Sequence, residues 1–380
     1  MRLFSAVPPA ESSVSLSAIW RAFRGGADDF ERDIQQLLGV ECCRLFSSGR
    51  AALYRLLVAL KQRAAGGRNQ VLIPGFTCYS VPAAVVKAGL EIRCYDLDPR
   101  TFWPDMASLT ALAGDKTLAI VGQHLFGIPT PMAELKTAAS ATGARLIEDA
   151  AQALGGTFES KALGTLGDFA ILSFGRGKPL PLGKGGALDQ SCDLIENIEP
   201  GHSNNNLSAL AMTAMNHFLS GRTTYGLLET LPLGLGRTIF DPGFPVQAMP
   251  ETIRRLGKTA LPEMDRIHAH RRKTADIYQV ILGKDKTPPV PPLSTPVFLR
   301  YPLLAGIDPV PDSLHRLGVR TGYPHAILDE PDIQPYCRQN PGSTPGSTEI
   351  ARKLITLPTH LGITKKSAEE TAERAIQVAP

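Results

Sequence analysis

The segment "PMAELKTAASATGARLIEDAAQALGG", residues 131–156, joins two patterns that together indicate the fold class. In its first half, apolar residues recur every three or four positions, which is typical of an amphipathic helix. The second half opens with the short apolar run "RLIED" and then becomes rich in small residues, so we predict a buried strand that ends at Asp149. A helix followed at once by such a strand is typical of a parallel sheet covered by helices.

The same alternation of short apolar runs and helical patterns extends over residues 42–190. Further helices are predicted at "GRAALYRLLVALKQRA" and "SVPAAVVKAG". Strands are predicted at "CRLF", "VLIP", "EIRCYDL", "LAIVGQ", "RLIED", "FAILSF" and "GGAL". We therefore expect an α/β protein with a large, mostly parallel sheet.

The pattern changes after residue 190, and this change divides the chain. We expect residues 1–41 to form an N-terminal arm and helix, and residues 42–250 to form the large domain. Residues 251–380 are expected to form a linking helix, kinked at Pro262, and a small α+β C-terminal domain. An apolar insert at residues 207–240 lies within the large domain, and it is either dimer-interface packing or a lid or lipid-facing surface.

Composition and charge exclude several classes of protein. The 380 residues are 43% hydrophobic and 20% charged, as in a soluble globular enzyme. The net charge of +4 is spread along the chain, which argues against nucleic-acid binding. The cysteines lack C-x-x-C spacing and companion histidines, so no metal site is predicted. With no convincing membrane span, and with Pro8 and Pro9 interrupting any signal peptide, we expect a cytoplasmic location.

Two ionisable residues follow consecutive strands of the predicted sheet. Asp149 ends the strand "RLIED", and Lys178 lies in the loop after "FAILSF". Because ligands of open parallel sheets bind at the carboxyl ends of the strands, this acid and this amine can face one cofactor. Alone, Asp149 is better explained as a helix N-cap or a buried salt-bridge partner.

Pyridoxal 5′-phosphate (PLP) is a cofactor that suits both groups. Its aldehyde forms a Schiff base with a lysine, and its ring nitrogen stays protonated beside an acid. Its phosphate suits backbone N–H groups at a helix start. The run "FSSGRAAL", residues 46–53, offers such a start, and Ser173 can add a hydroxyl. The sequence therefore predicts a PLP site.

Six segments occur in the order and at the intervals typical of one family. They are "SSGRAAL", "VLIPGFTCYSVPAAVVKAG", "QHLFGIPTPM", "LIEDAAQALGG", "GTLGDFAILSFGRGK" and "GKGGAL". On these motifs the chain resembles the DegT/StrS family of fold type I PLP-dependent sugar aminotransferases, over residues 42–190 and more loosely beyond. The resemblance implies a homodimeric enzyme that moves an amino group, from glutamate, to a keto group of a nucleotide-linked sugar.

The resemblance also implies roles for single residues. Lys178 matches the Schiff-base lysine, Asp149 the partner of the ring nitrogen, and Gln152 the residue near the phenolic oxygen. Lys184 is the rival lysine, but it aligns where the family usually has an acidic residue. His124 matches a common family histidine, and a core histidine with satisfied hydrogen bonds explains it equally well.

The phosphate positions include one departure from the family. Ser173 and Gly49 match phosphate-binding positions, whereas Arg50 replaces the usual threonine. The change removes a hydroxyl and adds a fixed positive charge, so the phosphate is expected to be held differently.

A second departure concerns the face of the cofactor ring. Cys78 stands where many relatives place an aromatic ring, so either the cysteine packs there or the neighbouring Tyr79 or Phe76 does. The family's Asn-Tyr-Arg-Met stretch, through which a second subunit reaches the site, is not recognisable in "DPGFPVQAMPETIRR".

Three alternatives accompany the nucleotide-sugar aminotransferase. One is an aminotransferase that acts on a non-nucleotide natural-product intermediate, and another is a non-catalytic binding module on the same fold. The third, a sugar dehydratase, is disfavoured because relatives of that type replace the lysine at position 178 with histidine.

Overall fold

The structure is a computed structural model that describes residues 6–10, 14–25, 29–189, 194, 198–202, 221, 224–225 and 238–378. The predicted α/β class is confirmed, because helices enclose a mostly parallel sheet. Most of the apolar insert predicted at residues 207–240 lies outside the described residues.

The strands of the described chain are mostly short. In chain order they are β1 (Cys43–Phe46), β2 (Gln70–Pro74), β3 (Glu91–Tyr95), β4 (Thr117–Gln123), β5 (Arg145–Asp149), β6 (Thr157–Phe158), β7 (Lys161–Ala162), β8 (Phe169–Ser173), β9 (Gly186–Asp189), β10 (Ser294–Thr295), β11 (Arg300–Leu304), β12 (Arg320–Thr321) and β13 (Leu354–Pro358).

The α-helices of the described residues alternate with the first strands and continue into the C-terminal part of the chain. They are α1 (Leu16–Phe23), α2 (Phe30–Leu38), α3 (Gly49–Arg63), α4 (Ser80–Lys87), α5 (Met106–Leu112), α6 (Met132–Thr142), α7 (Glu251–Ala260), α8 (Met264–Leu282), α9 (Asp312–His315), α10 (Pro345–Lys353) and α11 (Lys365–Val378). The kink expected at Pro262 is a 3-10 turn, Leu261–Glu263, between α7 and α8. Within the described part of residues 1–41, the structure has two helices, α1 and α2.

The main sheet of the described chain has the strand order β1-β9-β8-β5-β4-β2-β3. The pairs β2 with β3, β2 with β4, β4 with β5, and β5 with β8 are parallel. Strand β9 is antiparallel to both β8 and β1. Every strand predicted between residues 42 and 190 is therefore present in this sheet.

Both faces of the main sheet are buried under helices. Ile147 of β5 packs in a cluster with Leu53 of α3, whereas its neighbour Leu146 packs on the opposite face with Leu135 of α6. Because successive side chains of a strand point to opposite faces, a strand covered on both sides needs a continuous apolar run. Burial of each such side chain contributes about 1.5–3 kcal/mol.

The C-terminal part of the chain forms its own sheet and core. Strands β11 and β12 both pair antiparallel with β13, and α8 and α11 contribute to the same apolar cluster. The segment 6–10 lies against this part of the chain, because the Val7 N–H donates to the Arg316 carbonyl at 2.9 Å. The domain boundaries drawn from the sequence stay predictions.

Candidate active site

The candidate site lies at the carboxyl edge of the main sheet. Asp149 is the last residue of β5, and it is in register with Gln123 at the end of β4 and with Ile171 of β8. Ser173 ends β8, two residues beyond that pair. Parallel pairing therefore brings the ends of three strands together, as expected for a ligand site in this class of sheet.

One cavity collects all the residues predicted for the site. It is lined by both apolar and polar side chains, as is typical of small-molecule sites. Its lining includes Gly49, Arg50, Cys78, Asp149, Gln152, Ser173 and Lys178. Lys184, the rival lysine, is exposed and does not belong to this lining.

Asp149 is a buried acid that faces a cation. Its side chain is 9% exposed, and Oδ1 accepts a hydrogen bond from the Ala151 N–H at 3.0 Å. Burial raises the pKa of the Asp149 carboxyl, although the Lys178 charge and the Ala151 N–H oppose this rise. A positively charged group bound beside this carboxyl would stabilise its ionised form.

The start of α3 approaches the end of β8 closely. Ser48 caps the helix, since its Oγ accepts the Ala51 N–H at 3.2 Å. A Cβ atom at Gly49 would lie 2.9 Å from the Leu172 carbonyl oxygen and 3.3 Å from the Ser173 Cβ. Glycine is therefore needed for this approach, which places a helix N-terminus with its N–H donors beside Ser173.

Arg50 has partners on the segment that precedes α7. Its guanidinium lies 3.6 Å from Asp241 Oδ2 and 4.8 Å from the centre of the Phe244 ring. The side chain is 31% exposed, and this ion pair is therefore worth about 1 kcal/mol at most. An anion in the cavity can compete for the guanidinium.

His124 and Glu148 form a fully buried pair behind the cavity. His124 Nε2 lies 2.8 Å from Glu148 Oε1, and Nδ1 accepts the Thr130 N–H at 3.0 Å. Because Nδ1 is the acceptor, the ring proton is on Nε2 and is donated to Glu148. Both ring nitrogens are thus satisfied by the protein, while the histidine also lines the cavity.

The aromatic ring at the cavity comes from a distant part of the chain. Cys78 lines the cavity, whereas Phe76 and Tyr79 do not. Both of these rings lie against Tyr323: the centre of the Tyr323 ring is 5.2 Å from that of Phe76 and 6.1 Å from that of Tyr79. Tyr323 lines the cavity, and sequence reasoning missed it. Its segment "GVRTGYP" was recognised only as part of the small domain, and nothing local marks the tyrosine as a site residue.

The described residues contain neither a candidate metal site nor a helix that could cross a membrane. Across these ranges, no group of three or more His, Cys, Asp or Glu side chains is arranged to hold a metal ion. None of the helices described is both long and apolar enough to cross a membrane.

The donor set of the cavity fits PLP. It combines an amine, a buried acid, a helix N-terminus beside a hydroxyl, and the amide of Gln152. An α/β fold with an amine and an acid at the carboxyl ends of its strands is the arrangement expected for the fold type I class of PLP proteins.

The chain belongs to the DegT/DnrJ/EryC1/StrS aminotransferase family, whose model matches residues 17–375. This membership confirms the resemblance found in the sequence.

Two curated relatives illustrate the similarity of sequence. The chain is 34% identical over 165 residues to the GDP-perosamine synthase of Caulobacter vibrioides, covering 43% of this chain and 44% of that protein. It is 30% identical over 186 residues to the L-glutamine:2-deoxy-scyllo-inosose aminotransferase of Streptoalloteichus tenebrarius, covering 49% and 43%. The chain therefore spans less than half the length of these curated relatives.

The similarity of fold extends further than the sequence alignments. The structure of Helicobacter pylori PseC, an aminotransferase involved in the biosynthesis of pseudoaminic acid, superposes with a TM-score of 0.78. This superposition covers 98% of this chain and 99% of PseC at 17% identity, so it shows a shared fold.

Proposed function

We propose that this protein is a PLP-dependent aminotransferase that moves an amino group from glutamate to a keto group of a nucleotide-linked sugar. The observation that carries the proposal is the convergence of Lys178, Asp149 and the start of α3 on one cavity. Family membership over residues 17–375 supports the same activity.

Each residue would have one task in holding the cofactor. Asp149 would bind the ring nitrogen, Gln152 the ring oxygen, and the α3 N-terminus with Ser173 the phosphate. Arg50 would add positive charge near that phosphate, in place of the family's hydroxyl. When bound, PLP supplies an aldehyde that bonds to amines and a ring that withdraws electrons from the substrate carbon.

Lys178 would perform the proton transfers. Its amine would carry the proton from the donor carbon that bears the amino group to the cofactor, and in the return reaction it would carry a proton from the cofactor to the acceptor carbon. Asp149 would assist by holding a negative charge beside the ring nitrogen. Leu53, Val81 and Ile171 give the cavity part of its apolar lining.

The lysine assignment gives a direct test. Purified protein incubated with PLP, reduced with borohydride and digested should carry the cofactor mass on the peptide that contains Lys178. Lys178→Ala should abolish this covalent label and reduce transamination by at least 10³-fold, on the order expected for loss of a covalent and acid–base group. Lys184→Ala, in the same loop, is the matched control and should keep both.

Three results would contradict the proposal. Protein that takes up no PLP would favour the non-catalytic binding module. Protein that carries PLP but forms no pyridoxamine phosphate with glutamate or glutamine would exclude transamination with these donors. Labelling of Lys184 in the wild-type protein would overturn the lysine assignment.

The acceptor separates the two aminotransferase hypotheses. The name of the Caulobacter relative points to a nucleotide-linked sugar, and that of the Streptoalloteichus relative to a free cyclitol. We favour the nucleotide-linked sugar, the class of acceptor that the name of the Caulobacter relative indicates. Turnover of keto-cyclitols but of no nucleotide-linked keto sugar would establish the alternative.

Assembly and location belong to the same proposal. We propose a homodimer in the cytoplasm, in line with the expectation from the family fold. Light scattering of the purified protein would detect the dimer, and cell fractionation would test the location.

A further inference from the structure

Tyr323 contacts a predicted cofactor-binding residue across a long sequence separation. It follows β12 in the C-terminal part of the chain, and its hydroxyl accepts a hydrogen bond from Gln152 Nε2 at 3.3 Å, 171 residues away in sequence. Both residues line the cavity. The contact therefore joins the C-terminal sheet region to the loop after β5.

The other end of the Gln152 amide is held by the backbone. Gln152 Oε1 accepts the Phe126 N–H at 2.9 Å. Since a backbone N–H can only donate, the atom facing Phe126 must be the oxygen, and this fixes the orientation of the amide. The NH₂ group consequently faces Tyr323, and one of its two hydrogens is left for a ligand in the cavity.

The backbone beside Gln152 has two consecutive residues with positive φ angles, Phe126 and Gly127. Phe126 has a φ of 57°, a left-handed conformation that costs free energy in a residue with a side chain. The next residue, Gly127, also has a positive φ, and a Cβ there would lie 2.6 Å from the Gln152 carbonyl oxygen. The turn after β4 thus permits the close approach that the Phe126 contact requires.

The Tyr323 ring is itself firmly placed. It packs against Phe76 and Tyr79, and a Cβ at the preceding Gly322 would lie 3.0 Å from Phe76 Cζ. Burial raises the pKa of the Tyr323 phenol well above its usual range, so it remains a neutral hydroxyl. The oxygen of this neutral phenol can accept the hydrogen bond from the Gln152 amide.

We propose that Tyr323 is a positioning residue: its hydroxyl holds Gln152 so that the second amide N–H points at the cavity, where the ring oxygen of PLP would receive it. This inference rests on the proposed function. It adds a residue from the C-terminal part of the chain to a site otherwise built by the main-sheet loops.

The test uses the purified full chain, freed of cofactor and then titrated with PLP. Tyr323→Phe keeps the packed ring and removes only the hydroxyl. Without this hydroxyl, the Gln152 amide should no longer be held so that it donates to the ring oxygen. The pH midpoint of the bound cofactor's visible absorption should then rise by about 0.5–1 unit. The dissociation constant of PLP, followed by fluorescence, should rise roughly 3–10-fold.

A double-mutant cycle separates positioning from other roles. Gln152→Ala should produce a shift of similar direction, and adding Tyr323→Phe to it should produce little more, because the tyrosine acts through the amide. Tyr336→Phe is the control, since its ring is 48% exposed, contacts Phe240 and lies outside the cavity lining. Thermal unfolding of each variant checks that it is folded.

The outcomes are distinct. Wild-type protein that binds no PLP would contradict the proposed function itself. Wild-type protein that binds PLP, with Tyr323→Phe unchanged in both midpoint and affinity, would overturn the inference alone. Fully additive shifts in the double variant would also overturn it, because they would mean that Tyr323 acts independently of Gln152.

Discussion

At the scale of single residues, Glu148 connects the site to the loop before β8. Its carboxylate accepts hydrogen bonds from the N–H groups of Gly164 at 2.6 Å, Leu166 at 2.6 Å and Gly167 at 3.0 Å. It also accepts a hydrogen bond from His124 Nε2 at 2.8 Å. The side chain is fully buried. Asp149, the next residue in the sequence, lines the cavity. Of these two adjacent acids, Glu148 therefore has a structural position, and Asp149 has a position that faces a ligand.

We expect Glu148→Gln to destabilise the protein strongly. The amide has nearly the same shape, but its NH₂ group would face backbone N–H donors, and the charge that binds them would be lost. The cost should be about 3–5 kcal/mol, measured as a lower urea midpoint. Glu134→Gln, on the exposed side of α6, is the control and should change stability by roughly 0.5 kcal/mol or less. A loss below about 1 kcal/mol for Glu148→Gln would contradict this view of the carboxylate.

At the scale of elements, the N-terminus of α10 is capped by a distant residue. Its own N-cap residue, Thr344, makes no side-chain capping bond. Asp96, which follows β3, instead accepts the N–H of Gly346 and both the N–H and the hydroxyl of Ser347, each at 2.8 Å. A negative charge at a helix N-terminus is favourable, and here it also fixes α10 against the main sheet.

Asp96→Ala should therefore cost more than removal of an ordinary cap. We expect a loss of about 2–4 kcal/mol, because buried N–H groups lose a charged acceptor. Urea unfolding measures the loss, and hydrogen exchange should show faster exchange of the first amides of α10. Asp105→Ala removes an exposed local cap of α5 and should cost only about 1 kcal/mol. Equal losses in the two variants would show that the long-range cap adds nothing.

At the scale of the whole molecule, His360 links the N-terminal segment to the C-terminal sheet region. Nε2 donates to the Pro8 carbonyl at 2.8 Å, and Nδ1 accepts the Gly362 N–H at 3.1 Å. This arrangement requires the neutral ring. Burial lowers the pKa of His360 to about 4, and the positive charges of Arg300 and Arg271 add to this effect.

Stability should fall as the pH is lowered from about 6.5 to about 4. In this window the unfolded chain binds a proton at His360 that the folded chain does not, so acid favours unfolding by up to about 3 kcal/mol. His268, whose pKa burial lowers to about 3, acts in the same direction. Thermal unfolding over this pH range should show the loss, with a smaller slope in His360→Gln.

The matched control for this pH effect is His202→Gln, at an exposed position. It should leave the pH dependence unchanged. A wild-type protein equally stable at pH 7 and pH 4.5, or a His360→Gln variant with the wild-type slope, would refute the assignment.

The sequence by itself determined the α/β class, the strand segments of the main sheet and the family, because local apolar periodicity sets each element and short motifs mark the strand ends. The roles of Lys178, Asp149 and the other matched residues stay predictions. Only the tertiary structure decided that β9 runs antiparallel, that Asp96 caps α10, that Arg50 faces Asp241 and that Tyr323 reaches Gln152. These contacts join residues far apart in the chain, and their proximity depends on how the sheets and helices pack, which local patterns do not encode.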